Sequence, residues 1–343
     1  MALLRKQADL VSGGFYILEE PTDLLQRYLV GPLVHGKSPK STKIGQFKGF
    51  NLGSEQQLGA PLFVLSEREL KEFLVLGSHS TDSALFSLGV EEKKAYKKTF
   101  SQVQKKMKKT DLSKAVLYTK VEQDLHDFIS VEAFTFLASM GMRNKKSGYL
   151  FGFYNPKEET ALLGCSPEFL FKTNQGGELV TTAVAGTQKT SEEMEWSDKL
   201  LKEHEVVMQG VNECLDGKVK WTAVDNFNYG ALSHLKSEGV MESSVKVESL
   251  SERLHPTPAI GTLPRSYSKD LELGPEGRGY FGGYVELLEY ERPFSLVSIR
   301  CFEWESSRVQ VCIGGGVLKE SLAEKEWTEL EDKWTTFKAI WEI

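Results

Sequence analysis

The stretch GYLFGFYNPKEETALLGCSPEFLFKTNQGGELVTTAVAG, residues 148–186, decides the fold. It divides into four apolar runs, GYLFGFY (148–154), TALLGCS (160–166), FLFKT (169–173) and ELVTTAVAG (178–186), separated by Asn, Pro and Gly. Short runs rich in aromatic and β-branched residues, bounded by turn formers, predict strands. KAVLYTKVE (114–122) adds a strand before them. SLVSIRCFEWE and SRVQVCIGGG add an antiparallel hairpin after them, turning near Ser306–Ser307. A strong helix lies between the strand groups and a second closes the chain. Strands in consecutive runs with helices apart from them predict an α+β fold rather than a doubly wound parallel sheet. The first ninety or so residues mix strand-like runs (GGFYILEE, PLFVLSE) with loops.

No repeat, low-complexity tract or Pro/Ser-rich linker divides the 343 residues, so one domain spanning 1–343 is expected. Hydrophobic residues at 40% and charged residues at 26% suit a globular core. No apolar run is long enough to span a bilayer, and MALLRKQADL lacks the features of a signal peptide, so a cytoplasmic protein with no membrane partner is expected. Cys165, Cys214, Cys301 and Cys312 lie far apart without CxxC spacing, which predicts reduced, mostly buried thiols. A net charge of −6 argues against nucleic-acid binding. The basic stretch 93–114 places Tyr96, Phe100, Val103 and Met107 at helical spacing, so its lysines form the wet face of an amphipathic helix.

Two helices carry charge where apolar residues are expected. The first begins at Thr190, with Glu193 completing a capping box, and runs an apolar stripe through Leu200, Val207, Val211 and Cys214. Glu203 and His204 fall on or beside that stripe, so Glu203 is either a border salt bridge or a ligand for a cation. The second begins at Ser321, capped with Glu324, and buries Trp327, Leu330, Trp334, Phe337 and Trp341. Glu326, Glu329 and Lys333 share a neighbouring face, where they form a solvated ion pair or gather carboxylate oxygens for an ion such as magnesium. Three glycine turns, AVAGT (183–187), GYFGG (279–283) and IGGGV (313–317), let backbone approach a ligand or a crossing chain. None fits a nucleotide-phosphate motif. In LHPTPAIGTLPR (254–265), His255 reads as a structural hydrogen-bonder.

Taken in order, LSKAVLYTK, LLGCSPEFL, TTAVAGTQ, KEHEVV, LSHL, LHPTPAIGTLPR, GRGYFGG, VSIRCFEW, IGGGV and EWTELEDK resemble the chorismate-utilising superfamily of anthranilate, aminodeoxychorismate, isochorismate and salicylate synthases. The resemblance covers residues 111–343 and leaves 1–110 as a divergent, shortened N-terminal part. It implies two related antiparallel sheets with helices outside and a cleft between the halves. It also implies chorismate as substrate and Mg2+ as cofactor. By its motifs, Glu203 and Glu329 match metal ligands with Glu326 nearby, and Arg300 matches the arginine that holds a substrate carboxylate. Lys333 matches the basic partner on the last helix, Gly186, Thr187 and Gly314 match backbone contacts to the ligand, and His234 matches a substrate-binding histidine.

The motifs also separate the members. Glu168 matches the acid that protonates the leaving ring hydroxyl, and Lys114 matches the lysine that activates water. Ala185 stands where some aminating enzymes carry a nucleophilic lysine, so water is the expected nucleophile and no glutaminase subunit is expected. Phe281 and Ala259–Ile260 are apolar where salicylate synthases carry tyrosine and a polar residue. The resemblance therefore implies an isomerase, isochorismate synthase, serving menaquinone or siderophore biosynthesis. A salicylate synthase and a silent chorismate-binding protein are the alternatives. Two departures stand out: Leu200 replaces an acidic residue one turn before Glu203, and Glu286 replaces a small glycine.

Overall fold

The computed structural model describes residues 10–21, 26–34, 45–50, 55–61, 63–74, 87–145, 147–190 and 195–342. Its N-terminal part holds β1 (Phe15–Glu19), β2 (Tyr28–Val34), β3 (Gly45–Lys48), β4 (Glu55–Leu58), β5 (Phe63–Leu65), α1 (Glu67–Leu74) and α2 (Val90–Lys109). After these come β6 (Lys114–Asp124) and α3 (Val131–Asn144), then the four apolar runs as β7 (Tyr149–Asn155), β8 (Thr160–Ser166), β9 (Phe169–Thr173) and β10 (Leu179–Lys189). The chain continues through α4 (Asp198–Cys214), β11 (Val219–Trp221), β12 (Asp225–Tyr229), β13 (Leu232–Met241), α5 (Leu250–Leu254) and β14 (Thr262–Leu263). It closes with β15 (Tyr284–Leu287), β16 (Phe294–Val297), β17 (Cys301–Glu305), β18 (Arg308–Leu318) and α6 (Ala323–Trp341).

All the pairings are antiparallel and form two sheets joined through one strand. The first runs β5–β2–β1–β7–β8–β17–β18–β6–β14. The second runs β2–β4–β3–β15–β16–β9–β10–β13, with β11 and β12 both on the outer edge of β13. β2 belongs to both, pairing Tyr28–Val30 with β5 and Leu33–Val34 with β4. The α+β class and the two antiparallel sheets expected from the sequence are therefore observed.

Helices cover the first sheet with their apolar stripes. α2 buries Tyr96, Phe100, Val103 and Met107, leaving its lysines to solvent or surface ion pairs such as Lys93–Glu324 at 3.1 Å. α6 buries all five aromatic and aliphatic residues of its expected stripe. Trp341 is fully buried against Phe302, with ring centroids 5.3 Å apart, and a Cβ on Gly141 of α3 would meet its ring at 2.4 Å. Glycine at 141 thus lets α3 and α6 approach closely, as their seat on the sheet requires. Cys165, Cys301 and Cys312 are buried and Cys214 partly so, all as free thiols. Among the described residues no helix is long and apolar enough to cross a membrane.

The structure corrects several boundaries. α4 begins at Asp198 rather than Thr190, because β10 runs on to Lys189 and Thr190 bonds through its N–H to the Ala231 carbonyl at 3.0 Å. Glu193 of the expected capping box lies outside the described residues. α6 begins at Ala323, because the Ser321 hydroxyl accepts from the Leu318 N–H at 3.0 Å and closes the turn after β18 instead of capping. The run SLVSIRCFEWE is two strands, broken at Ser298–Arg300 where Arg300 takes φ 57°. α3 joins the helices anticipated from apolar spacing, held by its Ser130 N-cap.

Replacing Trp341 with Ala should lower the stability of the fold by about 3–5 kcal/mol, read as a shift in the urea midpoint. An unchanged midpoint would show that α6 is not held through this ring.

Candidate active site

Register places the site. β6 and β18 pair so that Lys114 faces Leu318, Val116 faces Gly316 and Tyr118 faces Gly314. Paired residues present their side chains to the same face of a sheet. Lys114 and Val116 therefore share a face with the empty side-chain positions of Gly314 and Gly316. Nothing larger than glycine fits at 316: a Cβ there would lie 2.0 Å from Glu203 Oε1 and 2.8 Å from Lys114 Cε. At 314 it would lie 3.3 Å from Phe281. The glycine run of β18 thus makes room for buried charge beside the sheet.

That room is a cavity of about 700 Å³ including its mouth. Lys114, Glu168, Thr187, Glu203, His234, Arg300, Gly314 and Lys333 line it together. These residues come from β6, the turn before β9, β10, α4, β13, the break before β17, β18 and α6, so the site closes only when both sheets and both long C-terminal helices are in place. Ala185, Ala259, Ile260 and Phe281 complete an apolar wall. Gly186 lies outside the lining: it takes φ 74° and lets β10 pass the Leu200 backbone, whose carbonyl would lie 3.1 Å from a Cβ there. Glu326 and Glu329 line an adjoining cleft with Lys199 and Leu200, and Thr187 stands in the walls of both spaces.

Glu203, Glu329 and Glu326 are each paired with a lysine. Lys114 Nζ lies 3.0 Å from Glu203 Oε1, Lys333 Nζ 2.6 Å from Glu329 Oε1 and Lys199 Nζ 2.5 Å from Glu326 Oε1. Lys333 also donates to the Gly314 carbonyl at 3.0 Å, tying α6 to the glycine run. Glu329 is held below the usual carboxylate range by Lys333 in spite of its burial. Glu326 is pushed up by burial and by the neighbouring Glu329 charge, and its Oε2 is buried without a partner.

Glu168 is different. It is buried, its Oε1 has no hydrogen-bond partner, and burial pushes its carboxyl up to about 8 against the pull of Lys114. It therefore holds its proton at neutral pH and presents a donor. His234 is held down to about 3 by burial and the charges of Arg300 and Lys333, so its ring is neutral. Its Nδ1 lies 3.2 Å from Thr187 Oγ1. Arg300 is buried in the left-handed conformation with its Nε unpartnered, its guanidinium 5.8 Å from the Tyr229 ring centroid. The arrangement offers a proton donor, an amine and fixed cations around one anion-sized space.

A divalent ion was expected on Glu203, Glu326 and Glu329. Each of these carboxylates is held by its own lysine, and among the described residues no three Asp, Glu, His or Cys side chains stand close enough to share an ion. The donors nonetheless suit a hard cation: all are carboxylate oxygens, the charges of all three act on Lys199, and Glu326 Oε2 is buried without a partner.

Glu286 does not line the cavity; it accepts from Gln46 Nε2 at 2.7 Å in the second sheet. His255 is the structural hydrogen-bonder expected, its Nε2 lying 2.8 Å from the Gly282 carbonyl. Sequence reasoning missed Arg278, which also lines the cavity. Its signal was present in GRGYFGG, a cation inside a glycine turn.

A family model described as chorismate binding enzyme matches residues 66–341. The vibriobactin-specific isochorismate synthase of Vibrio cholerae serotype O1 is 28% identical over 264 residues, 71% of this chain and 66% of that protein. Isochorismate synthase DhbC of Bacillus subtilis is 29% identical over 219 residues, 57% of this chain and 55% of that protein. The matches thus span less than two thirds of either relative. The solved putative 2,3-dihydroxybenzoate-specific isochorismate synthase of Bacillus anthracis shares the fold at a TM-score of 0.75 and 22% identity, covering 98% of both chains. The menaquinone-specific isochorismate synthase of Escherichia coli does so at 0.74 and 16%, covering 98% of this chain and 90% of that one.

Because the folded state keeps Glu168 protonated up to about pH 8, the stability that this group contributes is present at low pH. It is full below about 4.5, the ordinary value of the group, and is lost progressively as pH rises from there through about 8. Glu168→Gln stays neutral at every pH. The variant should therefore gain on the wild type by a few kcal/mol between about pH 5 and 8, measured by urea unfolding across that range. Parallel stability curves would show that Glu168 is not held protonated.

Proposed function

The chain belongs to the chorismate-binding enzyme family, and on that premise we propose that it is an isochorismate synthase. Glu168 carries this reading: a carboxyl held protonated, in one cavity with the Lys114 amine and the Arg300 guanidinium. Lys114 takes a proton from a water that attacks the chorismate ring. Glu168 gives its proton to the ring hydroxyl that departs. One water enters and one leaves, so the product is an isomer of the substrate. Groups acting in this way contribute about 10²–10⁴-fold each.

Arg300 holds the enolpyruvyl carboxylate, and its unpartnered Nε leaves hydrogen-bonding capacity for the task. Lys333, fixed between Glu329 and the Gly314 carbonyl, sets the positive edge of the cavity. His234 and Thr187 orient the ligand as neutral hydrogen-bonding groups. Glu203 and Glu329, with Glu326 nearby, are the carboxylates that would hold magnesium, which when bound would supply positive charge for a substrate carboxylate. Lys114, 3.0 Å from Glu203 Oε1, lies in the cavity wall where its amine can face the water.

Water rather than ammonia is the nucleophile, because Ala185 leaves no second amine at its position in the wall. The enzyme works in the cytoplasm without a glutaminase subunit. Ile260 and Phe281 offer no hydroxyl to assist elimination of pyruvate, which favours stopping at isochorismate over salicylate. The site chemistry is the same whether the product serves menaquinone or a siderophore.

Purified protein given chorismate and magnesium should accumulate isochorismate. Lys114→Ala should lower kcat by about 10²–10⁴-fold while chorismate affinity stays within about threefold. Salicylate and pyruvate from the purified protein alone would replace this reading with a salicylate synthase, and full activity in Lys114→Ala would remove the lysine from the chemistry.

A further inference from the structure

Arg278 is 5% exposed and lines the cavity, yet among the described residues it forms no ion pair. Its Nε donates to the Phe281 carbonyl at 3.0 Å and its Nη2 to the Ile260 carbonyl at 2.7 Å. Nη1 is buried without a partner. The guanidinium carbon lies 3.4 Å from the Phe50 ring centroid, 4.9 Å from that of Tyr118 and 5.2 Å from that of Phe281. A Cβ on Gly282, which takes φ 76°, would lie 2.4 Å from Nη2, so the glycine turn is open there to admit this side chain.

A buried cation without a counter-ion is costly, and aromatic faces with two carbonyls offset only part of that cost. Burial lowers its guanidinium to about 10, still charged at neutral pH. What remains is fixed positive charge beside a cavity, acting through a medium that screens it poorly. The two carbonyls it binds are occupied by its N–H groups, so the acceptor oxygens of Ile260 and Phe281 are already satisfied beside the cavity.

We propose that Arg278 is a positioning residue for a dianionic ligand: it braces the Ile260–Phe281 wall and supplies a positive field to a carboxylate that it does not touch. This rests on the reading of the cavity as a chorismate site. It also gives the N-terminal part a role, since Phe50 forms one face of the guanidinium's seat.

The test is calorimetric binding of chorismate to the full chain and its variants. Arg278→Met, which keeps length and loses charge, should weaken binding on the order of 10–100-fold. Arg278→Lys, which keeps charge and loses the fork, should recover most of that loss. A merely structural role would weaken both variants alike, and that result would overturn the proposal, as would unchanged affinity in Arg278→Met. If Arg278→Met does not fold, Phe50→Leu keeps the charge and loosens its seat. It should weaken binding about 3–10-fold, in the range of a lost cation–π contact; unchanged affinity overturns the proposal. Failure of the wild type to bind chorismate would instead overturn the functional reading beneath it.

Discussion

The cavity depends on what β18 leaves out. A strand between β17 and β6, in the middle of a sheet, ordinarily fills both faces with branched side chains. Here Gly314 and Gly316 leave a trench on one face, where Glu203 and Lys114 sit in the place of the side chain of residue 316, and Gly315 opens the other face to Glu329 and Lys333 of α6. Glycine weakens a strand interior, because it loses more backbone entropy and packs nothing. The long pairing of β18 with β6, from Arg308 opposite Asp124 to Leu318 opposite Lys114, offsets that weakness. Without the trench, the helices could lie on the sheet only as an apolar layer.

Charge around that trench is of three kinds. Lysine–glutamate pairs from β6, α4 and α6 are each neutral as a unit. Glu168 is neutral by protonation and His234 by deprotonation. Arg300 and Arg278 remain as cations without carboxylate partners among the described residues. The balance of the lining is thus positive. A ligand with two carboxylates meets a field already oriented for it, with little reorganisation left to do.

Much of this was legible in the sequence. The strands β7 to β10 followed from apolar runs between turn formers, Glu203 stood out as a carboxylate on a buried helix stripe, and Glu326, Glu329 and Lys333 as a charged face beside another. Other elements were hidden because tertiary context overrides propensity. EQQL and GQFK form β4 and β3 only because they pair with each other and with β2 and β15. The break at Arg300 is a backbone event in a run that reads as continuous strand. Arg278 was visible as a cation inside a glycine turn, but its partners, the carbonyls of Ile260 and Phe281 and the ring of Phe50, cannot be seen from spacing.

The strand order fixes when the molecule can fold. β17 and β18 are inserted between β8 and β6, strands made long before them. β15 and β16 are likewise inserted between β3 and β9. A chain leaving the ribosome therefore carries two gapped sheets, each with unpaired edges, until residues 284–318 arrive. Such edges invite pairing with other chains, and contacts this distant in sequence form slowly. The interval between synthesis of β9 and of β18 is thus the period in which those edges stay open to other chains.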